Sequence, residues 1–393
     1  MRVASIQKKT GLATAIALAA LYVGAGRAEA DPYVQTNLIS DIPGLATITD
    51  PELVNPWGVS HSATSPFWVS DQGQNATTLY TVTDGTNVTK VDINPPSGFV
   101  GIPTTASGPQ GPTGQVSNSN TSSFAVGNGG NGGAAHFIFS NLNGTIAAWD
   151  TGASAVIQVT TPGAVYTGLA VNTAQTMLYA ANDAGSGSID VFNSSFMPVT
   201  NLGPNAFQNP FPGLVPFNVQ DIGGDVYVTY APSGRANQTG AALGAGAVAV
   251  FDESGNLISS NINQSQLAAP WGIALAPADF GIFSNDLLVG NFSYLNSEIN
   301  AFNSTTGAYL GTIPIDVGNG NTAGGLWDLS FGTGGSNGSP DVLYFSDGIN
   351  GEEDGLFGAI AVPEPPGLAM FAAALVFIAI SRKALSGKKR TGG

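Results

Sequence analysis

The hydrophobic positions of this chain fall in short runs separated by polar, glycine-rich segments. Between residues 33 and 361 no long segment keeps the apolar period of about 3.6 residues that a helix packed on a core would show. The runs are rich in Val, Ile, Phe and Tyr, and Gly, Asn, Ser and Thr stand between them. This pattern predicts short β-strands joined by turns, and therefore an all-β fold.

Three strand patterns recur along this region. The first alternates small and apolar residues and predicts inner strands at 57–60, 124–126, 168–171, 217–219, 271–275 and 327–330. The second is rich in apolar and aromatic residues and mostly ends in a polar residue, at 67–71, 137–141, 178–182, 226–230, 287–291 and 343–347. A third follows a Gly/Asn loop, at 145–150, 188–193, 247–252 and 298–303. Repeated units that cannot bury both faces alone predict a six-bladed β-propeller.

The ends of the region predict how the ring closes. Residues 356–361 supply the third strand of the last blade, and residues 33–42 supply its outer strand, which would leave no free sheet edge. The Pro/Gly/Ser/Asn-rich segment 94–120 predicts a long surface loop between blades one and two. In blade four, residues 231–246 form a Gly/Ala-rich loop where other blades carry Asp or Asn.

The repeated unit of strand, Asp or Asn, Gly-rich turn and strand resembles the NHL-type six-bladed propellers. Two segments, Asn55-Pro56-Trp57-Gly58-Val59 and Ala269-Pro270-Trp271-Gly272-Ile273, are also similar to an uncharacterised bacterial family of exported propeller proteins. The resemblance covers about residues 33–361. It implies a fold and an export route, and it implies no chemistry.

The N-terminus has the organisation of a secretory signal peptide. A basic segment at residues 2–9 precedes an apolar run at 11–23, and Ala28 and Ala30 flank a small-x-small cleavage site. Signal peptidase is therefore expected to cut before Asp31, so that residues 1–30 are no part of the fold. An uncleaved N-terminal anchor is the alternative.

The C-terminus, residues 362–393, combines a short motif, an apolar run at 367–380 and a basic tail at 382–390. Because these three parts occur in this order at the end of the chain, the segment resembles a PEP-CTERM sorting signal. That family implies processing by an exosortase-type protease in bacteria that make exopolysaccharide. The motif itself is Val362, Pro363, Glu364 and Pro365.

A plain membrane anchor is the alternative for this segment. Fourteen residues at about 1.5 Å each cover about 21 Å, which is short of a hydrocarbon core of about 30 Å. The basic tail places the end of the chain in the cytoplasm and the body outside. Both interpretations predict an exported protein, held in the inner membrane by the transmembrane helix 367–380 before any processing. Processing would then release it to the cell surface or the extracellular space.

Charge limits the partners of the body. Between residues 31 and 361 lie 24 of the 26 acidic residues and only two of the 11 basic ones, Lys90 and Arg235, for a net charge of −22. Nucleic acid and anionic membrane surfaces are poor partners for such a protein, because phosphate binding depends on Lys and Arg. The chain has no Cys, which excludes disulfides, thiol chemistry and thiolate metal sites.

The polar residues at the ends of the second strands are candidate cation ligands. They are Asp71, Asn141, Asn182, Asn291 and Asp347. A ring of carboxylate and amide oxygens on one face of a propeller would suit calcium. The alternative is that these side chains cap tight turns in every blade. The acidic run 352–354 is a second cation candidate, with a solvated turn as its alternative.

Nucleophilic catalysis has little support in the sequence. The only histidines, His61 and His136, stand in no hydrolase or metalloprotease motif and predict surface or turn positions. The glycine-rich segment 127–133 lacks the Lys-Ser/Thr ending of a phosphate loop. Tryptophans recur on three predicted inner strands, where they would form the core or stack on sugars: Trp57, Trp271 and Trp327.

Three functions fit these observations. The first is a non-catalytic binding or scaffold module at the cell surface or in the exopolysaccharide matrix. The second is a metal-dependent hydrolase or lactonase of the six-bladed type, which would need several oxygen ligands around one point with an open position for water. The third is a structural propeller stabilised by calcium. The absence of a convincing His or Glu constellation favours the first.

Overall fold

Six antiparallel β-sheets form the blades of a propeller in the computed structural model, which describes residues 33–105, 110–262 and 265–363. The inner strands of successive blades contact one another in a closed cycle, and the inner strand of the last blade contacts that of the first. The predicted all-β, six-bladed fold is therefore confirmed.

The first three blades lie in chain order. Blade one contains β3 (Pro56–Ser60), β4 (Phe67–Asp71), β5 (Ala76–Thr83) and β6 (Asn87–Lys90), and β7 (Val100–Gly101) pairs with β5. Blade two contains β8 (Pro112–Ser117), β9 (Phe137–Asn141), β10 (Thr145–Trp149) and β11 (Val156–Thr160). Blade three contains β12 (Tyr166–Val171), β13 (Met177–Asn182) and β14 (Ser188–Asn193).

The other three blades complete the ring. Blade four contains β15 (Leu214–Ile222), β16 (Asp225–Pro232), β17 (Ala247–Asp252) and β18 (Leu257–Ile262). Blade five contains β19 (Pro270–Leu275), β20 (Leu287–Asn291), β21 (Glu298–Phe302) and β22 (Tyr309–Pro314). Blade six contains β23 (Leu326–Phe331), β24 (Leu343–Asp347), β25 (Leu356–Ala361), β1 (Val34–Ser40) and β2 (Ile48–Thr49).

Short helical segments lie in the connections. They are α1 (Arg235–Thr239), α2 (Ile349–Glu352) and two 3-10 turns, Gln72–Gln74 and Gly281–Phe283. Helix α1 lies in the predicted Gly/Ala-rich loop of blade four. Among the described residues, no helix has the length and apolar character needed to cross a membrane. The predicted signal peptide 1–30, with its cleavage site before Asp31, and the predicted transmembrane helix 367–380 lie outside the described residues.

Both faces of most blades are buried, which explains the apolar runs of the second strands. In β24, Leu343 and Phe345 contribute to the cluster between blades five and six, whereas Tyr344 faces the cluster between blades six and one. Successive side chains of a strand point to opposite faces, so each second strand supplies two neighbouring interfaces. In the described part of the chain, apolar clusters fill the interface between each pair of neighbouring blades, and a further one lies on the axis.

The predicted closure by the N-terminal strand is confirmed. Strand β1 pairs antiparallel with β25, from Val34 opposite Ala361 to Ser40 opposite Leu356. Leu38 and Ile39 are fully buried in the interface with blade one. Blade six therefore contains strands from both ends of the described chain, and its strand β1 packs against blade one.

The predicted surface loop at 94–120 is wrong. This segment contains β7 and β8, and β8 is the inner strand of blade two. Proline is tolerated at the first position of a strand, as at Pro112, and glycine is needed where two backbones approach closely, as at Gly114. These two residues look like loop residues in the sequence, yet they belong to a buried strand. Residues 124–126, the predicted inner strand, lie in a loop that buries Phe124 and Val126. Phe124 has a φ of 55°, and its ring centroid lies 5.3 Å from that of Phe196.

Candidate functional site

Every inner strand has a register shift against the second strand of its blade. Two residues after the last pair before the shift, each strand has an equivalent position that packs toward a neighbouring inner strand. This position is glycine in four blades, asparagine in blade four and aspartate in blade six: Gly58, Gly114, Gly168, Asn218, Gly272 and Asp328. The ring around the axis thus carries two polar side chains.

Glycine at this position lets neighbouring inner strands pack backbone against backbone. A Cβ atom on Gly58 would lie 2.6 Å from the carbonyl oxygen of Thr113. A Cβ atom on Gly114 would overlap the backbone nitrogen of Leu169 in the next blade. Because neither backbone can move without disturbing its own sheet, the glycines set the narrow bore of the channel.

Asp328 lies in this ring with 8% of its surface exposed. Its Oδ2 atom accepts a hydrogen bond of 2.6 Å from the backbone N–H of Val59 in blade one, and its Oδ1 atom accepts one of 2.8 Å from the Leu329 N–H. Burial raises the pKa of the carboxyl to about 7, although the two N–H donors oppose the shift. The carboxyl therefore changes charge near neutral pH.

Asn218 joins blade four to blade five at the same level. Its Nδ2 atom donates a hydrogen bond of 2.9 Å to the carbonyl oxygen of Trp271, and its side chain occupies the space that a Cβ on Gly168 would need. The asparagine thus combines a structural contact with a position in the channel wall.

A cavity of about 280 Å³ opens where the inner strands end, and it is here called the open mouth. Its polar lining includes Ser60, Gln115, Asn218, Asp221 and Asp328. No Lys or Arg is among the described residues that line it. Trp271 supplies an aromatic part of the wall, and its Nε1 atom donates a 2.9 Å hydrogen bond to the Thr167 carbonyl oxygen.

Three polar atoms of residues that line the open mouth are buried with no hydrogen-bond donor assigned to them in the described part of the chain: Ser60 Oγ, Gln115 Oε1 and Asp221 Oδ2. Burial and the neighbouring Glu253 carboxyl raise the pKa of Asp221 to about 6. The side-chain Nε2 of Gln115 is fixed by the carbonyl oxygens of Gly58 and Trp68, at 2.6 and 2.7 Å. Its oxygen is consequently held in one orientation. Since a buried acceptor without a donor costs free energy, these positions favour a ligand that supplies donors.

His61 lies in the loop directly after β3, at the rim of the open mouth. The ring is partly buried, with Nε2 3.0 Å from the Phe331 carbonyl oxygen and Nδ1 3.2 Å from the side-chain nitrogen of Asn337. Burial lowers the pKa of His61. The other histidine, His136, is exposed as predicted.

Aromatic rings close the opposite end of the channel, where the inner strands begin. Trp57 and Trp327 are stacked with ring centroids 3.4 Å apart, and Phe292 stacks on Trp327 at 4.3 Å. The three tryptophans are at most 2% exposed, which confirms them as core residues. The Trp271 ring centroid lies 6.3 Å from that of Trp57 and 5.6 Å from that of Trp327. Trp271 also lines the open mouth.

Arg235 of α1 covers this aromatic group. Its guanidinium carbon lies 4.3 Å from the Phe292 ring, 5.0 Å from Trp327 and 5.2 Å from Trp57, and the guanidinium forms an ion pair with Glu352. We call Arg235, Glu352, Trp57, Phe292 and Trp327 the arginine mouth. Glu352 also accepts a 2.8 Å hydrogen bond from the Tyr294 hydroxyl. It is thus part of a closed network, while Glu353 is exposed.

The five predicted cation ligands stand at the ends of their second strands. By strand alternation each faces the interface with the preceding blade. Asn182 Oδ1 accepts from the Val165 N–H at 3.1 Å, and Asn291 Oδ1 accepts from the Ala268 N–H at 2.9 Å. These two amides hold the chain that links neighbouring blades, which is a capping role.

The other three predicted ligands differ from these two amides. Asn141 donates a 2.9 Å hydrogen bond to Thr145 of its own blade. Asp71 and Asp347 are fully buried, and burial raises the pKa of each well above the usual value. Within the described ranges no group of three His, Cys, Asp or Glu residues is placed to hold a metal ion. The calcium hypothesis for the five residues stays a prediction.

The sequence analysis predicted neither strand β8 of blade two nor the position of Arg235 at the end of the channel. The spacing of Pro112 and Gly114 is that of Pro56 and Gly58, and of Pro270 and Gly272, and this repeat could have identified β8. The sequence indicates less about Arg235. It is one of two basic residues in an acidic body, and it lies in the Gly/Ala-rich loop that replaces the Asp or Asn of the other blades.

Stability is expected to depend on pH through Asp328. Its pKa of about 7 in the folded state exceeds the unfolded value of about 3.9, so the folded state binds the proton more tightly. The stabilisation is complete below about pH 4 and is lost as pH rises through 7. Between pH 5 and 8 the wild type should therefore lose about 2–3 kcal/mol of unfolding free energy through this group, at about 1.4 kcal/mol per pKa unit. Asp328→Asn is neutral at every pH and should not show this loss.

Urea unfolding at several pH values measures this difference. The exposed Asp225→Asn provides the control for loss of one acidic group and should follow the wild-type profile. Equal slopes in Asp328→Asn and the wild type would show that the carboxyl does not titrate as the geometry requires.

No family model matches the chain. Two uncharacterised proteins of Acanthamoeba polyphaga mimivirus are 28% and 29% identical over 288 residues, which is 70% of this chain and 67% and 72% of theirs. Two solved structures are similar, each over 84% of this chain: streptogramin B lyase (97% of that chain, TM-score 0.45, 10% identity) and luciferin-regenerating enzyme (95% of that chain, TM-score 0.48, 12% identity).

Proposed function

We propose that this chain is an exported, non-catalytic binding protein whose open mouth takes a neutral polyhydroxylated ligand, such as a saccharide unit of an exopolysaccharide. One observation supports this most. The residues that line the cavity include two with buried acceptors to which the described structure assigns no donor, Gln115 Oε1 and Asp221 Oδ2, and none of the described lining residues is Lys or Arg. A sugar hydroxyl donates a hydrogen bond without adding charge, and it satisfies such acceptors.

Two further features suit a saccharide. Trp271 offers an aromatic edge beside the polar groups, and the mixture of a few fixed polar groups with apolar surface is typical of small-molecule sites. The volume of about 280 Å³ is that of one small ligand. The cavity therefore fits a single sugar ring or the end of a chain better than an extended polymer.

Asp221→Asn is expected to weaken saccharide binding at least about tenfold. The substitution replaces one carboxylate oxygen by an NH₂ group, and a hydrogen bond to a charged group is worth about 1.5–3 kcal/mol. Neutral oligosaccharides on a glycan array, followed by calorimetry with the strongest binder, measure the effect. Asp225→Asn in the same blade is exposed and should bind like the wild type.

Two results would overturn the proposal. The first is that the wild-type protein binds none of the neutral saccharides, and the second is that Asp221→Asn binds them as tightly as the wild type does. Analysis of the bound sugar for new reducing ends separates binding from hydrolysis.

A hydrolase is the second candidate, because the pKa of Asp328 near 7 suits a general acid or base. This candidate requires turnover that Asp328→Asn abolishes. The metal-dependent form of the hydrolase and the calcium-stabilised propeller both rest on the predicted cation ligands.

We also propose that the C-terminal segment is a sorting signal, so that signal peptidase and an exosortase-type protease process the chain. The described chain supports the position of the motif: Val362 still packs on the cluster between blades five and six, and the Pro-Glu-Pro motif follows directly.

Intact mass of the extracellular protein is expected to correspond to a chain that begins at Asp31 and lacks residues 367–393. Expression in a host with the exosortase system provides the material. A host without that system is the control and should retain the C-terminal segment. An extracellular mass that includes residues 367–393 would instead identify a plain anchor.

A further inference from the structure

We propose that the arginine mouth is a binding site for a small organic cation, a guanidinium or quaternary ammonium group, and that Arg235 occupies it in the free protein. This site lies at the opposite end of the channel from the open mouth. The two proposals are independent, since they involve different residues and ligands of different charge.

The arginine mouth places the guanidinium against one aromatic cluster, here called the cage, in which Trp57 and Phe292 are each stacked on Trp327. Three ring systems lie within 4.3–5.2 Å of one guanidinium carbon, at Trp57, Phe292 and Trp327. A cation within about 6 Å of an aromatic face is attracted by the ring quadrupole, and the attraction grows when water is excluded. The rings are held in place by core packing, because Phe292 and Trp327 are fully buried. The cage therefore persists when its occupant leaves.

The carboxylates around the cage outnumber its single cation. Glu352 pairs with Arg235, and Asp183 lies close enough for the charge of Arg235 to lower its pKa, although burial raises that pKa to about 6. Asp347 is fully buried beside Glu352, and neither of its carboxylate oxygens has a hydrogen-bond partner among the described residues. Burial, and then the charge of Glu352, raise the pKa of Asp347. An external cation that replaces Arg235 would lie beside the same carboxyl groups.

The Arg235 side chain can leave without unfolding its helix. It is 39% exposed, and other residues anchor α1. Gln238, which is 1% exposed, donates a 3.1 Å hydrogen bond to Asp183, and the carbonyl oxygen of Thr239 accepts one of 3.0 Å from the Tyr294 N–H. Arg235 therefore acts as an internal competitor for the cage, and its removal should raise the affinity for an external cation.

Tetramethylammonium chloride is the probe for this site, and tryptophan fluorescence is the readout because Trp57 and Trp327 form the cage. In the full chain, Arg235→Ala should show a saturable change with an apparent Kd at least about tenfold lower than that of the wild type, since the competing group is gone. Sodium chloride at the same ionic strength should give no saturable change. Adding Glu352→Gln should weaken binding to Arg235→Ala.

Lys90→Met is the matched control, because it removes the other cation of the body at a distance from the cage. It should bind tetramethylammonium like the wild type. An equal gain in affinity in Lys90→Met would assign the effect to net charge and overturn the proposal. A folded Arg235→Ala protein without a saturable response would overturn it as well.

A second measurement uses the wild-type protein and does not depend on the folding of a variant. If tetramethylammonium displaces the arginine, phenylglyoxal should modify Arg235 faster in its presence, as measured by peptide mass spectrometry. Sodium chloride at matched ionic strength is the control. Unchanged modification at saturating tetramethylammonium would rule out displacement of Arg235.

Discussion

A chain that begins at Asp50 is expected to lose more than about 5 kcal/mol of unfolding free energy and to aggregate. This truncation removes β1 and β2, and with them the backbone hydrogen bonds to β25 and the buried side chains of Leu38 and Ile39. Burial of each such side chain is worth about 1.5–3 kcal/mol, and the uncovered edge of β25 would be open to pairing with other molecules.

Urea unfolding and light scattering measure the two effects. A matched pair of point variants tests the same strand without exposing an edge. Leu38→Ala should cost about 2–5 kcal/mol, whereas Val34→Ala, at a position 51% exposed, should change stability little. A truncated protein that unfolds at the urea concentration of the full body would refute closure by this strand.

Gly114→Ala is expected to destabilise the protein by about 3 kcal/mol or more. The added methyl group would overlap the backbone of Gly168 and Leu169 in the next inner strand, and overpacking against backbone is relieved only by shifting a sheet. Because the inner strands form a closed ring, the shift would also reach the open mouth. Reduced saccharide affinity should therefore accompany the loss of stability.

Gly127→Ala is the control in the same blade. A Cβ atom there meets only the side-chain oxygen of Gln158, at 3.5 Å, which is an ordinary contact. Chemical denaturation of the two variants side by side gives the comparison. Equal stability of the two would show that the inner strands can separate, and the bore of the channel would then not depend on glycine.

The two cations of the body both serve as internal partners. Lys90 pairs with the buried Asp50 at 2.8 Å, where the closing sheet meets blade one, and Arg235 pairs with Glu352 above the channel. Asp50 also accepts a 2.7 Å hydrogen bond from the Tyr80 hydroxyl. In a body of net charge −22, the two basic residues therefore lie between blades six and one and at one end of the channel. There they compensate the carboxylates of Asp50 and Glu352.

The sequence by itself determined the class of fold, the number of blades and the closing strand. These follow from local rules that act within a few residues. Alternation of apolar residues predicts a strand, as at residues 343–347, and repetition of the unit predicts a ring. The sequence also predicted most of the second and third strands of the blades, because the aromatic and β-branched residues of these strands are buried on both faces.

Only the tertiary structure decided what lies on the axis. Pro112 and Gly114 have the composition of a loop, yet they form an inner strand because neighbouring backbones approach there. Asp328 is similar, since its burial and its contact with Val59 depend on a blade 269 positions away in sequence. Arg235 reaches an aromatic cage built from three other blades. These contacts join distant parts of the chain, and no local pattern of residues encodes the distances between them.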